Sequence, residues 1–227
     1  MHVDKLVQAV FLKRVTRFSA YVNINGRKTY VFVPNPSNLK DLLKPNARVI
    51  LRNAERRGSK TVHDLTFVYD GKTLVSIDSR FPSKIFNEAI LNKQLHEFSH
   101  YHEIVPEHRF GNSRFDLLLV SDKKCLVETK SCSWVVGSKA MFPDVPTKRG
   151  VRHLKDLIRA KNEGYRACLI FIVQRDDAEK LCIRDDIDPK FSQVLNEAIE
   201  KGVEIYAYNC SIKKDEIRIN RRIKVIT

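Results

Sequence analysis

Residues 125–134 read CLVETKSCSW. The run opens as a buried strand, yet Glu128 and Lys130 stand two residues apart at its centre. Side chains alternate along a strand, so both must point to one face. Taking a carboxylate and an ammonium out of water costs several kcal/mol unless the two pair or are put to use. The stretch is therefore either a structural ion pair or part of a site. Immediately upstream, residues 115–120 (FDLLLV) form a second apolar segment across the short polar turn 121–124. If the two segments make a hairpin, residues equidistant from the turn oppose each other, and Asp116 falls across from Glu128 or Lys130. Only an even pairing sum puts Asp116 on their face, because a slip of one residue flips every side chain.

Asp116, Glu128 and Lys130 at the end of a central hairpin match what a divalent-metal phosphodiesterase requires. Two carboxylates bind Mg²⁺ or Mn²⁺ through oxygen and leave positions open for water and phosphate. A nearby lysine orients the water and offsets transition-state charge. The plainer reading makes Asp116 a strand-start residue and Glu128–Lys130 a surface pair on an edge strand. A further acid is expected on the helix before the hairpin. Glu88 is the candidate, on a partly inward stripe with Ile85, Leu91 and Leu95, and Glu107 is its competitor. Arg114 precedes the Phe-Asp pair and is placed to meet a phosphate. Residues 147–150 (TKRG) open a helix on which Arg149 and His153 lie one turn apart. With Lys148 and the free N–H groups of the helix start, they form a candidate phosphate clamp, against the alternative of an ordinary basic face. His96 and His100 have a zinc-compatible helical spacing, but no third ligand completes it.

The rest of the chain supplies the frame. Strands and helices alternate after residue 81: a helix that Ser83 could cap and that runs to about residue 96, the hairpin, a helix over 147–162, a strand over 166–173, a helix over 190–201 ended by Gly202, and a strand over 203–208. That order predicts an α/β domain with a mixed sheet. Residues 1–80 read instead as about five short strands, with hairpin turns at Asn25-Gly26 and Asp70-Gly71, a loop at 34–38 and a short helix at 39–43. A small OB-like barrel is the natural candidate, with an SH3-like barrel or small sandwich as alternatives. The expected domains are 1–81 and 82–227.

Among 227 residues the formal net charge is +14. The first 80 carry 15 Lys and Arg against 6 Asp and Glu, a net of +9. Such a field favours a polyanion, with nucleic acid ahead of an anionic membrane surface. Arg14, Arg17, Arg52, Arg56 and Arg57 are the candidates for holding its backbone. The longest wholly apolar run, residues 167–173, is too short to span a bilayer. Five cysteines without a C-x-x-C pair do not make a disulfide framework, so a reduced, cytoplasmic setting is expected.

Several blocks occur in a distinctive order: Thr16-Arg17-Phe18-Ser19-Ala20, Ser113-Arg114-Phe115-Asp116, Val127-Glu128-Thr129-Lys130-Ser131, Phe142-Pro143-Asp144, then Thr147-Lys148-Arg149-Gly150 with His153-Leu154, and Gly202-Val203-Glu204-Ile205. Over essentially the whole chain this resembles the sugar fermentation stimulation protein A family. The resemblance implies an N-terminal OB-like domain and a C-terminal domain of the PD-(D/E)xK nuclease superfamily. It also implies DNA binding without marked sequence preference and a regulatory link to sugar metabolism in bacteria. By the same resemblance the metal-binding acids fall on Asp116 and Glu128, the lysine on Lys130 and the helical acid on Glu88. Two departures stand out. The loop that usually reads Pro-Asn-Thr-Gly is here Pro34-Asn35-Pro36-Ser37, and Pro146 stiffens the entry to the following helix. The expectation is a DNA-binding protein with a Mg²⁺-dependent endonuclease site. Its rival is a non-catalytic DNA-binding regulator that keeps the fold. RNA is not separable from DNA at this level. Many nucleases of that superfamily work as dimers, which leaves a homodimer open.

Overall fold

The computed structural model describes residues 1–54, 61–213 and 215–227. Its first part is a six-stranded sheet built from β1 (Leu6–Thr16), β2 (Ser19–Ile24), β3 (Arg27–Phe32), β4 (Arg48–Asn53), β5 (His63–Asp70) and β6 (Thr73–Ser76). The order is β3-β2-β1-β4-β5-β6, and β3 also meets β5 at Phe32 and Asp64. That pairing closes β1–β5 into the OB barrel. The closure follows from period-two patterning: Ala20, Val22, Val31, Val49, Leu51 and Leu65 turn inward and are buried. Asn25 and Gly26 both take positive φ in the tight β2–β3 turn. Residues 39–43 do not form the expected helix. Leu39 has a φ of +53°, and the N–H groups of Leu42 and Leu43 both donate to the Leu39 carbonyl, so the chain makes a single turn that buries three leucines.

The second part is a mixed nine-stranded sheet, β10-β11-β13-β15-β14-β12-β9-β8-β7. Its strands are β7 (Glu103–Phe110), β8 (Ser113–Val120), β9 (Cys125–Cys132), β10 (Val135–Val136), β11 (Lys139–Phe142), β12 (Arg166–Val173), β13 (Lys180–Ile183), β14 (Glu204–Lys213) and β15 (Glu216–Ile226). Three helices cover it: α1 (Pro82–Leu91), α2 (Lys148–Asn162) and α3 (Pro189–Glu200). Strand β12 lies between β9 and β14 and is parallel to both. Cys168, Ile170 and Ile172 pack with Ile85, Phe86 and Ala89 of α1. Ala167, Leu169, Phe171 and Val173 pack with α2 and α3 through Leu154, Leu157, Phe191 and Leu195. Both faces are therefore dry, which is why this strand is an uninterrupted apolar run.

Helix α1 is shorter than expected. Ser83 does not cap it; Phe81 occupies the N-cap position and Pro82 the first turn. It stops at Leu91 because Lys93 turns left-handed at φ +54°, with Gln94 N–H donating to Ala89 O. Leu95 then drops into the core and His96–Phe98 forms a short 3-10 helix. His96 and His100 are thus not one turn apart on a helix, and among the described residues no group of three or more potential metal ligands forms. No helix among the described residues is long and apolar enough to cross a membrane.

The two parts meet along a polar seam at the end of β12. Ser76 N–H donates to Gln174 O (3.0 Å), Ser76 Oγ donates to Gln174 Oε1 (2.9 Å), and Gln174 Nε2 donates to Ser131 Oγ (2.8 Å). Beside it Arg175 pairs with Asp70 of β5 (3.0 Å) and with Asp177 (2.5 Å). In the connecting segment, Arg80 bridges the buried carboxylates of Asp64 (2.6 Å) and Asp78 (2.5 Å).

Candidate functional site

Register decides what the central hairpin can do. Strands β8 and β9 pair Leu117 with Val127, Leu118 with Leu126 and Leu119 with Cys125. The sum is even, so Asp116 stands opposite Glu128. The ladder goes no further in that direction. Instead the Thr129 N–H donates to Asp116 Oδ2 (2.7 Å), and the Thr129 hydroxyl does the same (2.6 Å). A carboxylate thus replaces main-chain pairing where the two strands part.

Along β9, Leu126 and Cys132 pack on the α2 side of the sheet, and Cys125 and Val127 on the α1 side. Alternation then turns Glu128 and Lys130 toward α2. There, on a helix capped by Thr147 Oγ1 accepting from Gly150 N (3.0 Å), His153 meets them. Glu128 is only 3 % exposed. Its Oε1 accepts from Lys130 Nζ at 2.6 Å and lies 2.5 Å from His153 Nδ1. Arg149 Nε donates to His153 Nε2 (3.3 Å), and His153 Nδ1, though close to Glu128, has no hydrogen-bond partner among the described residues. The other oxygen, Glu128 Oε2, is buried and has no hydrogen-bond partner.

Burial pushes the Glu128 carboxyl up, but Lys130 and His153 outweigh that and hold it below the usual carboxylate range. Asp116 behaves oppositely. Burial, then the neighbouring Glu128 charge, raises its carboxyl despite the Thr129 hydrogen bonds. A buried acid and a half-buried one are pushed apart in this way, one firmly ionised and one reluctant. A cation between them would satisfy the unpartnered Oε2 and remove the repulsion, so this donor set fits a hard, oxygen-seeking divalent ion.

His153 also lines a groove of about 550 Å³, together with Arg109, Ser113, Arg114, Arg149 and Arg152. Arg109 faces Arg114 across the β7–β8 pair, and Ser113 Oγ donates to Asp156 Oδ2 of α2 (2.5 Å), tying the hairpin to the helix. Arg109 and Arg152 were not singled out in the sequence. Arg152 could have been, since it lies three residues from Arg149 on one helix face. Arg109 required knowing that residues 103–110 pair with β8.

The remaining candidates sit elsewhere. Glu88 does not join Asp116 and Glu128: α1 packs on the opposite side of the sheet, and Glu88 Oε1 takes the N-terminal ammonium of Met1 at 2.6 Å. Glu107 is 69 % exposed on β7 and lies 3.5 Å from Arg114. His153, expected at a phosphate, is 1 % exposed and faces Glu128. Lys148 is exposed on the first turn of α2, outside the groove. Arg14 is occupied internally, donating to the carbonyls of Arg17, Asn35, Ser37 and Asn38 at 2.6–2.8 Å. Those bonds fold the 34–38 loop without the glycine usual there. Arg52 pairs with Asp64 (3.2 Å). Arg17 remains exposed, with Nε on Pro36 O (3.1 Å). Arg56 and Arg57 lie outside the described residues.

Comparison with known proteins agrees with this layout. Residues 12–77 match the family described as the SfsA N-terminal OB domain, and residues 80–216 match the sugar fermentation stimulation protein RE domain. A sugar fermentation stimulation protein homolog from Caldanaerobacter subterraneus subsp. tengcongensis is 44 % identical over 224 residues, covering 98 % of each chain. The homolog from Clostridium acetobutylicum is 36 % identical over the full length of both. Among solved structures, Pyrococcus furiosus SfsA in complex with Ca²⁺ superposes with a TM-score of 0.93 at 33 % identity, covering 100 % of this chain and 98 % of that one. The chain belongs to the sugar fermentation stimulation protein family.

Proposed function

We propose that this protein binds DNA through its backbone and hydrolyses phosphodiester bonds at Asp116, Glu128 and Lys130, with Mg²⁺ or Mn²⁺ as cofactor, as in PD-(D/E)xK nucleases. The observation that carries the reading is the unpartnered, buried Glu128 Oε2 across the hairpin from Asp116, with His153 joining Glu128 to an arginine-lined groove. The solved structure of the Pyrococcus furiosus relative in complex with Ca²⁺ supports a divalent ion in this family. Asp116 and Glu128 would hold the ion, which when bound neutralises charge on the phosphoryl oxygens and lowers the pKa of an adjacent water.

The chain's own residues do the rest. Arg109, Arg114, Arg149 and Arg152 hold the polyanion and set the scissile phosphate in place, a contribution from positioning and preorganised charge. Lys130 orients the attacking water. His153 acts indirectly: by taking Glu128 Oε1 it leaves Oε2 as the ligand and fixes the carboxylate's rotation.

Supercoiled plasmid and labelled oligonucleotides incubated with Mg²⁺ or Mn²⁺ test the reading. Wild type should cleave, and Asp116→Asn should lose at least about a hundredfold in rate while still binding DNA. Equal cleavage by the two proteins, or none by wild type with either metal, would sink the enzymatic reading and leave the DNA-binding regulator.

A further inference from the structure

The groove between the β7–β8 hairpin and α2 carries more positive charge than one passing phosphodiester needs. Arg109 and Arg114 enter it from the hairpin, and Arg149 and Arg152 from the start of α2. All four are exposed. Arg114 lies 3.5 Å from Glu107, an exposed pair that water screens. Among the described residues, the Arg149 guanidinium has only the His153 ring as partner (3.3 Å), and those of Arg109 and Arg152 have none. Three guanidinium groups thus stand without a carboxylate around one concavity.

The groove is also blind. One turn further along α2 the hairpin turn meets the helix. Ser113 Oγ donates to Asp156 Oδ2 (2.5 Å), and a Cβ at Gly111 would lie 3.3 Å from Asp156 Oδ1 and 3.4 Å from Arg159 Nη1. Gly111 takes a φ of +56°, the left-handed form that lets the turn come this close. A strand running through would have to part these contacts, and the Asp156 carboxylate repels a further phosphate. His153 joins the groove to Glu128 (2.5 Å). A chain end fits this shape where a chain interior does not. A terminal phosphate also matches the charge, since a monoester carries about −1.5 to −2 at neutral pH and three free oxygens. A diester offers one charge and two such oxygens. Guanidinium forks take pairs of these oxygens in bidentate fashion.

We infer that this groove binds the terminal phosphate of a DNA strand, so that the site works from strand ends. The inference deepens the proposed function and rests on it for cleavage, but end binding is measured without cleavage. Fluorescence anisotropy in EDTA would compare one short, internally labelled duplex carrying 5′-phosphate, 3′-phosphate or hydroxyl ends. Wild type should bind one phosphate-ended form at least about tenfold more tightly than the hydroxyl-ended form, and the preferred terminus sets the polarity. Arg109→Gln and Arg152→Gln should each cut that ratio to about threefold or less. Arg17→Gln, on the barrel, should weaken all forms alike and keep the ratio, because general charge loss acts on every duplex. Equal affinity for all ends in wild type, a preference that survives both groove variants, or a ratio lost equally in Arg17→Gln would overturn the inference. So would inorganic pyrophosphate competing as tightly as the phosphate-ended duplex, since the groove would then read a small phosphate compound. With Mg²⁺, covalently closed circles cut as fast as linear phosphate-ended DNA would overturn it and leave the nuclease reading intact. End preference without any cutting would support it and sink the nuclease reading alone.

Discussion

Replacing Asp116 by Asn should make the metal-free protein more stable. Asp116 is a partly buried carboxyl whose ionisation is opposed by desolvation and by Glu128. The Asn carbonyl can still accept from the Thr129 N–H and hydroxyl, so the local hydrogen bonds survive. Removing one of these two repelling charges is worth about 1 kcal/mol, or about 2–4 °C in melting temperature for a chain of this size. The sign reverses once a cation is supplied. Wild type at a hundredfold excess over Kd gains about 2.7 kcal/mol, or about 5–10 °C, and the variant should gain almost none. Differential scanning calorimetry in EDTA and with Mg²⁺, Mn²⁺ or Ca²⁺ reads both effects. A pH series adds a third signature. An acid whose pKa is raised by folding destabilises the fold where it is ionised, and that penalty fades as pH falls through the raised value. The advantage of Asp116→Asn should therefore be full at neutral pH and shrink on acidification, beginning above the ordinary Asp range. A metal-free variant that melts below wild type while keeping the full cation shift would refute this account of the two acids.

Arg80→Met removes the bridge between two buried carboxylates, Asp64 and Asp78, and should cost about 3 kcal/mol by urea denaturation. Gly150→Ala should cost roughly 1–3 kcal/mol, because a Cβ there would lie 2.8 Å from Thr147 Cγ2 and 3.1 Å from Phe191 Cε2. It should also weaken DNA binding in the groove by disturbing the α2 cap. Arg149→Gln and Arg152→Gln should each weaken duplex binding uniformly across sequences and lower the salt slope of the binding constant by about one.

Much of this molecule was legible because its main signals are periodic. The barrel strands showed alternation, β12 showed two dry faces, and an even pairing sum in the hairpin was enough to gather Asp116, Glu128 and Lys130 on one face. What escaped had other physical causes. Strand β15 carries Arg218, Arg221, Arg222 and Lys224 on its exposed side and buries only Ile217 and Ile223, so its pattern resembles a solvated charge run. Strand β7 holds Pro106 and a left-handed Glu107, both poor strand signals. Helix α1 keeps an apolar stripe past Leu91, but a left-handed Lys93 redirects the chain, which no periodicity reports. His153 lines the groove as expected, but its contact with Glu128, 25 residues away in sequence, could not be read from the helix alone. Arg14 counted toward the basic field although its guanidinium donates to five backbone carbonyls.

Gln174 has a consequence for ancestry. Its carboxamide is shared between Ser76 of the barrel and Ser131, the residue after Lys130, so neither half presents a finished surface by itself. A barrel recombined from another lineage would leave that amide, and the Arg175 guanidinium beside it, facing the wrong partners. Selection then acts on the joint rather than on two movable cassettes, and the halves are expected to pass together through descent. The full-length correspondence with the Clostridium acetobutylicum homolog agrees with a pair inherited as one unit.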